Sequence, residues 1–485
     1  MTLPTRVFCL SMRITVFINL ALLFLQITTI SNAQERVTLE SCRTLALENN
    51  KLLRIAELEK LASQHEHNVA QSAYLPKIYA SGIYLHRNHK TSLLGNKEKR
   101  MLENIGATLQ EELKTISTLF PEIAKLQELN ALGGSIADAL VLDTRNIFAA
   151  TITVEQPIFT GGKIVAYNKL AKLMENIARY NYEAARQDVI LSTDRAYWLV
   201  VSLSNKERLA ASYVDLTKKL SDNVEKMFKE GIVTKAELLN VKVRLNEAHM
   251  AHLRAKDGTR VARMQLCHIC GLPLDHNLLP ADEMLGINQE QYLVAQGTID
   301  NRPELQSLIL ASRIAQQQTN IIRADYLPQL MLIGGYTINN PSITDGFRRR
   351  FDGTWNIGLM LKIPLWNWGE GYNKIKASKA RANIATYNLD DTREKMELQI
   401  QQCINSINEA QERLSLATSN IVMAEENLRN ITLSFNEGVA TSEEVMQAQT
   451  ALIKAGSELI DAEIEIRVAQ TEFKRATGNL NIESK

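Results

Sequence analysis

Phe228-Lys229-Glu230-Gly231-Ile232-Val233-Thr234 returns later in the chain as Phe435-Asn436-Glu437-Gly438-Val439-Ala440-Thr441. Glu237 follows the first copy at the distance by which Glu444 follows the second. At the same offset Pro157-Ile158-Phe159 corresponds to Pro364-Leu365-Trp366, and Gly271 to Gly478. Tyr74-Leu75-Pro76 and Tyr326-Leu327-Pro328 form one more pair. Self-similarity this extensive implies two related structural units. We place them at 34–285 and 286–485, behind a leader at 1–33. The first unit carries about 45 extra residues, at 90–142, too many for an ordinary hairpin loop.

Working outward from the repeated motif, the preceding chain has no breakers. Gly162 to Phe228 contains no proline and no internal glycine, and Glu370 to Phe435 has only Gly371 near its start. Some 65 helical residues make a rod of about 100 Å, far longer than globular helices and suited to coiled-coil packing. Gly231 and Gly438 fit the left-handed position that ends a helix. Thr234-Lys235-Ala236-Glu237 and Thr441-Ser442-Glu443-Glu444 fit capping boxes that start a return helix. Each unit therefore reads helix, strand pair, very long helix, tip, helix. The first helix starts near Thr38, and Leu45, Leu52, Ile55, Leu58 and Leu61 continue it at helical spacing.

Four segments alternate with period two. Trp355, Ile357, Leu359, Leu361 and Ile363 share a face, as do Leu330, Leu332, Tyr336 and Ile338, and Phe148, Ala150, Ile152 and Val154. In the first segment Tyr79, Ile83 and Leu85 face one way. Segments of this length suit an outer-membrane barrel, yet four strands cannot close one. Three chains would supply twelve. Phe159, Trp366 and Trp368 stand where strand meets rod, the level at which interfacial aromatic belts lie. They equally fit packing at a strand–helix junction.

Composition agrees. Lys+Arg is 55 against Asp+Glu 54, a net charge of +1, so no basic stripe points to nucleic acid. Arg6 and Arg13, the apolar run from Ile14 to Ile30 and Ser31-Asn32-Ala33 read as an export signal cleaved before Gln34. Cys42, Cys267, Cys270 and Cys403 remain in the mature chain. That is not a dense disulfide framework. Cys267-His268-Ile269-Cys270 could supply half of a tetrahedral zinc site, but its place at a helix end favours packing. We expect no cofactor and no metal. No P-loop, HExxH or GxSxG occurs, so no enzyme is expected.

The ordered set Leu39-Glu40-Ser41-Cys42, Ala73-Tyr74-Leu75-Pro76, Gln156-Pro157-Ile158-Phe159-Thr160-Gly161-Gly162, Gly271-Leu272-Pro273, Arg302-Pro303-Glu304-Leu305 and Ala476-Thr477-Gly478, with both tips, resembles the TolC family of outer-membrane efflux proteins. The resemblance covers nearly the whole mature chain. It implies a mainly α protein with membrane β structure. Long helical hairpins would form a periplasmic α-barrel, and four strands per protomer would enter a twelve-stranded barrel in outer-membrane lipid. It further implies a homotrimer that engages a periplasmic adaptor at its tips and, through it, an inner-membrane pump, in efflux or type I secretion. By position the adaptor-contact residues are Lys229, Glu230, Gly231, Thr234 and Glu237, with Asn436, Glu437, Gly438 and Thr441. Some members narrow the periplasmic entrance with two aspartates, and the aligned positions are Glu444 and Gln447. Ala440 replaces an arginine of the closed-state bonding network in some members.

Two features are left over. Arg348-Arg349-Arg350 sits between the last two strands, where it is either a solvated charge run or a contact for lipid phosphates. The 90–142 insert shows Leu102, Ile105, Leu109, Leu113, Ile116 and Leu119-Phe120 at helical spacing, then Pro121, and reads as a helical cap at the extracellular mouth. The competing reading of the whole is a periplasmic coiled-coil structural or adaptor protein without a pore.

Overall fold

The computed structural model describes residues 36–113, 126, 128–282 and 297–480. The leader, Ile116 and Leu119 to Pro121 of the insert, and the boundary between the repeats lie outside them. The chain divides into two compact units. One comprises Met1–Ala62, Asn176–Leu310 and Tyr387–Lys485, the other Ser63–Glu175 and Ala311–Thr386. Each sequence repeat contributes to both.

Helices α1 (Leu39–Asn49) and α2 (Lys51–Ser72) open the first repeat. The sequence suggested one helix here. Asn50 interrupts it with φ −68° and ψ 125°, and its Oδ1 accepts from the Leu52 and Leu53 amides. An Asn that caps the next helix ends the first one without disturbing the apolar spacing. Helices α3 (Asn96–Glu103), α4 (Ile105–Glu112) and α5 (Glu128–Ala139) follow in the insert. Asn130 of α5 accepts from the Gly106 and Ala107 amides, satisfying open donors at the start of α4.

Helix α6 runs from Lys163 to Lys229, and α9 from Glu370 to Asn436; each has 67 residues. Their return helices, α7 (Lys235–Ile269) and α10 (Ser442–Ala476), have 35 each. The repeat thus sets element length as well as element order. Helix α8 (Pro303–Ala324) is the second repeat's counterpart of α2. Among the described residues no helix is long and apolar enough to cross a membrane.

In the helical unit, one core gathers Cys42 and Ala46 of α1, Tyr197, Trp198, Val200 and Val201 of α6, and Ala262, Leu266, Cys267 and Cys270 at the end of α7. A second holds Leu305 of α8 with Met396 and Ile400 of α9 and Ala476 of α10. The two are related by the repeat. A Cβ on Gly271 would meet the Asn49 backbone, and one on Gly478 the Asn301 backbone. Two short strands, β1 (Arg36–Val37) and β6 (Leu279–Pro280), pair in parallel here.

The other unit holds an antiparallel sheet of β2 (Lys77–His86), β5 (Asn146–Thr160), β7 (Gln329–Asn340) and β8 (Asp352–Lys362), in the order β2-β5-β7-β8. Strands β3 (Thr91–Ser92) and β4 (Val141–Leu142) close the base of the insert. A bulge interrupts β5 against β7 between Pro157 and Phe159, where proline cannot donate to the ladder.

Candidate channel surfaces: hairpin tips and strand face

The two tips are built by the same local rule. Ile232 N–H donates to the Met227 carbonyl at 2.9 Å and Gly231 N–H to Phe228 at 3.0 Å. In the second tip Val439 donates to Ser434 at 2.9 Å and Gly438 to Phe435 at 3.0 Å. This double bond pattern needs a left-handed residue between the helices, and Gly231 and Gly438 supply it at φ 76° and 75°. Lys229, Glu230, Gly231, Thr234, Asn436, Glu437, Gly438 and Thr441 are exposed, and Glu237 is half-buried.

The return helices start differently, against the sequence expectation of two capping boxes. Thr441 accepts from the Glu444 amide, and the Glu444 carboxylate accepts from the Thr441 amide at 2.7 Å, a full box. Thr234 accepts from the Glu237 amide, but the Glu237 carboxylate takes the Ser442 hydroxyl at 2.9 Å. A tertiary partner has claimed the acid that would have completed the local box. Behind this bond Leu220 and Val224 of α6, Leu238 and Val241 of α7, Phe435 of α9, and Val445 and Met446 of α10 bury one another. The tips therefore form one surface. Glu444 and Gln447 are both exposed on α10. The backbone and hydroxyl donors of Thr441 hold the Glu444 carboxyl below its ordinary pKa. Gln447 approaches Glu443 at 3.5 Å rather than Glu444.

Further from the tips, sequence reasoning missed two ion clusters. Arg43 of α1 makes a two-pronged contact with Asp194 of α6 at 2.6 and 2.7 Å, and Thr471 of α10 also donates to that carboxylate. Arg475 of α10 binds Glu304 of α8 and, at 2.9 Å, Asp188 of α6. Burial opposes the Arg475 charge, but Glu304 and Asp188 outweigh it and raise its pKa. Burial likewise pushes Glu304 up, and Arg475 outweighs it, leaving Glu304 below the usual carboxylate range.

In the strand unit the register sorts the side chains onto two faces. One carries Trp355, Ile357, Leu359 and Leu361 of β8 beside Tyr336, Gly334, Leu332 and Leu330 of β7, then Ile152, Val154, Gln156 and Phe159 of β5. Its outermost row is bare: Trp355 is 78% exposed, Ile357 66% and Leu359 65%. The other face carries Thr151, Thr153 and Glu155 of β5, Thr337 of β7, and Thr354, Asn356 and Lys362 of β8. Pairing with β5 puts Ile78, Ala80, Gly82 and Tyr84 of β2 on the apolar face. Tyr79, Ile83 and Leu85 lie on the polar one, where Tyr79 donates to Glu155. Large residues occupy both faces of β2, so only its partner fixes which is which.

Trp366 and Trp368 form an edge-on pair, 5.9 Å between centroids. Phe159 stands in the sheet, in register with Leu330. All three lie toward the helix-linked end, and Trp368 is 88% exposed. Its φ of 48°, followed by Gly369 at 79°, bends the chain out of the strand toward α9. At the opposite end the loop arginines are matched by acids. Arg349 meets Asp143 at 3.4 Å, and Arg348 and Arg350 meet Asp345 at 3.7 and 3.0 Å.

The family model described as outer membrane efflux protein matches residues 43–272 and 294–479. The alkaline protease secretion protein AprF of Pseudomonas aeruginosa is 22% identical over 340 residues, 69% of this chain and 70% of that protein. The outer membrane protein TolC of Escherichia coli is 22% identical over 355 residues, again 69% and 70%. The crystal structure of the Campylobacter jejuni CmeC outer membrane channel superposes with a TM-score of 0.74 at 17% identity, covering 92% of this chain and 87% of that one. The VceC outer membrane protein of Vibrio cholerae gives 0.70 at 15%, covering 91% and 96%. The chain belongs to the outer membrane efflux protein family.

Proposed function

We propose that this chain is one protomer of a homotrimeric outer-membrane duct, a passive exit for an efflux or type I secretion machine. The observation that carries the reading is the sheet. It has a bare apolar face and a polar face, and it ends in two edge strands, β2 and β8. In lipid an open edge leaves unpaired backbone groups at several kcal/mol each. Joining β8 of one copy to β2 of the next removes both edges, and three copies supply the twelve strands of a closed barrel. The polar face would then line the pore, and Phe159, Trp366 and Trp368 would meet the periplasmic interface. A pore-less periplasmic coiled-coil protein has no use for such a face.

The tip residues Lys229, Glu230, Gly231, Thr234 and Glu237, with Asn436, Glu437, Gly438 and Thr441, form the docking surface for a periplasmic adaptor. Through the adaptor an inner-membrane pump supplies the energy. Glu444 places one exposed carboxylate per protomer at the entrance, and Gln447 none. Three such charges around an axis favour cations. The insert follows β2 and precedes β5, at the sheet end away from the long helices, which suits a helical cap over the extracellular mouth. The family consists of channel proteins rather than enzymes, and no catalytic role is assigned here.

The test is planar-bilayer conductance of protein purified from outer membranes, beside its mass in detergent. A trimer with discrete, cation-preferring steps supports the duct. A water-soluble monomer or dimer without conductance would overturn it in favour of the periplasmic coiled-coil reading.

A further inference from the structure

Three of the four cysteines beyond the leader converge on one point of the helical core. Cys42 lies in α1, Cys267 in the last turn of α7, and Cys270 is the residue that ends α7; all three are free thiols with 0% exposure. Cys42 and Cys270 pack in the same buried cluster, although 228 positions separate them. The Cys270 Sγ also lies 3.6 Å from the Cys42 carbonyl oxygen. Cys267 points its thiol elsewhere, donating to the His276 carbonyl at 3.4 Å. Cys403 belongs to the separate cluster around Met396 and Ile400. No group of three His, Cys, Asp or Glu among the described residues is arranged to hold a metal ion.

We propose that Cys42 and Cys270 are joined by a disulfide in the mature protein. An outer-membrane protein folds after export into an oxidising compartment, and both thiols are reachable there before the core closes over them. The oxidant is the disulfide of a thiol–disulfide oxidoreductase of that compartment. The thiolate of one cysteine attacks it, giving a mixed disulfide and one released thiol. The second cysteine then displaces the enzyme. One S–S bond forms in the chain, one is broken in the enzyme, and two electrons and two protons leave with the enzyme's dithiol. The product clamps the first helix, which carries Arg43 to Asp194, onto the end of the first hairpin. Cys267 remains a thiol.

The experiment counts thiols. Full-length protein from the outer-membrane fraction is unfolded in denaturant with a first alkylating reagent present, then reduced and alkylated with a second, mass-distinct reagent. Cys267 and Cys403 are expected to carry the first label, and Cys42 and Cys270 the second. Without reduction a linked peptide pair should contain Cys42 and Cys270, and Cys42→Ser should move Cys270 to the first label. Four first-labelled cysteines, or a linked pair of Cys267 and Cys270, would overturn the proposal. If Cys42→Ser fails to reach the membrane, peptide mapping of the unsubstituted protein decides alone.

Discussion

The Ser442 hydroxyl donates to the Glu237 carboxylate at 2.9 Å, tying the start of one return helix to the first turn of the other. Ser442 is 2% exposed, and Val445 and Met446 are buried directly behind it. Because Glu237 serves this contact, α7 has only half of a capping box. The bond also holds the two tips in register. Ser442→Ala removes the donor and leaves a carboxylate oxygen unsatisfied at a half-buried site, at a cost of about 1–2 kcal/mol. Hydrogen exchange of the α7 and α10 first-turn amides should quicken together. Faster exchange in α10 alone would mean the bond does not couple the tips.

Thr441 and Glu444 satisfy each other's backbone, so their substitutions are expected to be non-additive. Thr441→Ala should cost ~1 kcal/mol of local helix stability, and Glu444→Ala rather less once Thr441 is gone. The Glu444 carboxyl is depressed in the fold, so its contribution is present above the unfolded carboxyl value, near 4.3, and is lost as pH falls through the folded value. Protection factors at the α10 N-terminal amides should therefore fall on acidification in the parent and stay flat in Glu444→Gln. An identical pH response in both would assign the effect to another group. In conductance, Glu444→Gln should also weaken cation preference if the duct reading holds.

Three glycines in the left-handed region separate strain from contact. A Cβ at Gly231 or Gly438 would meet nothing within 4 Å, whereas one at Gly478 would lie 2.5 Å from the Asn301 carbonyl oxygen. Gly231→Ala and Gly438→Ala should each cost about 1 kcal/mol, the strain of a side chain at positive φ. Gly478→Ala should cost clearly more, since the backbone of Asn301 must also move. The order of the three thermal midpoints in detergent checks this, and equal losses would show that the Asn301 contact yields freely.

Both rods were legible because nothing in Gly162 to Phe228 or Glu370 to Phe435 can stop a helix, and glycine marks where each ends. Strands β5, β7 and β8 were legible because one face is predominantly apolar. Strand β2 was not: Ile78 and Tyr84 compete with Tyr79, Ile83 and Leu85, and only pairing with β5 decides. The break at Asn50 hid beneath an apolar spacing that continues through it. The Ser442–Glu237 bond and the Arg475 cluster join residues 171 to 287 positions apart, and no local pattern marks such pairs. The tips were found through the repeat, while the partner that distinguishes them came only from the fold.

The Arg475 cluster is expected to contribute to the acid sensitivity of the helical unit. Its guanidinium is 10% exposed and its partners Glu304 and Asp188 are 29% and 63% exposed, so Glu304 carries most of the coupling. Arg302 stands 3.7 Å from the same carboxylate. Glu304 is depressed despite its burial, so its stabilising effect is complete above about pH 5 and fades as pH drops toward its folded value. Glu304→Gln should lower the thermal midpoint at neutral pH and flatten its decline in acid. Arg475→Met should cost ~3 kcal/mol, the lower end for a broken buried pair, because Arg302 still attends Glu304. The Arg475→Met, Glu304→Gln double variant should recover part of that loss, since the carboxylate charge stranded by the first change is removed by the second. Losses that simply add would mean the two side chains act separately, and the acid response would then belong elsewhere in the fold.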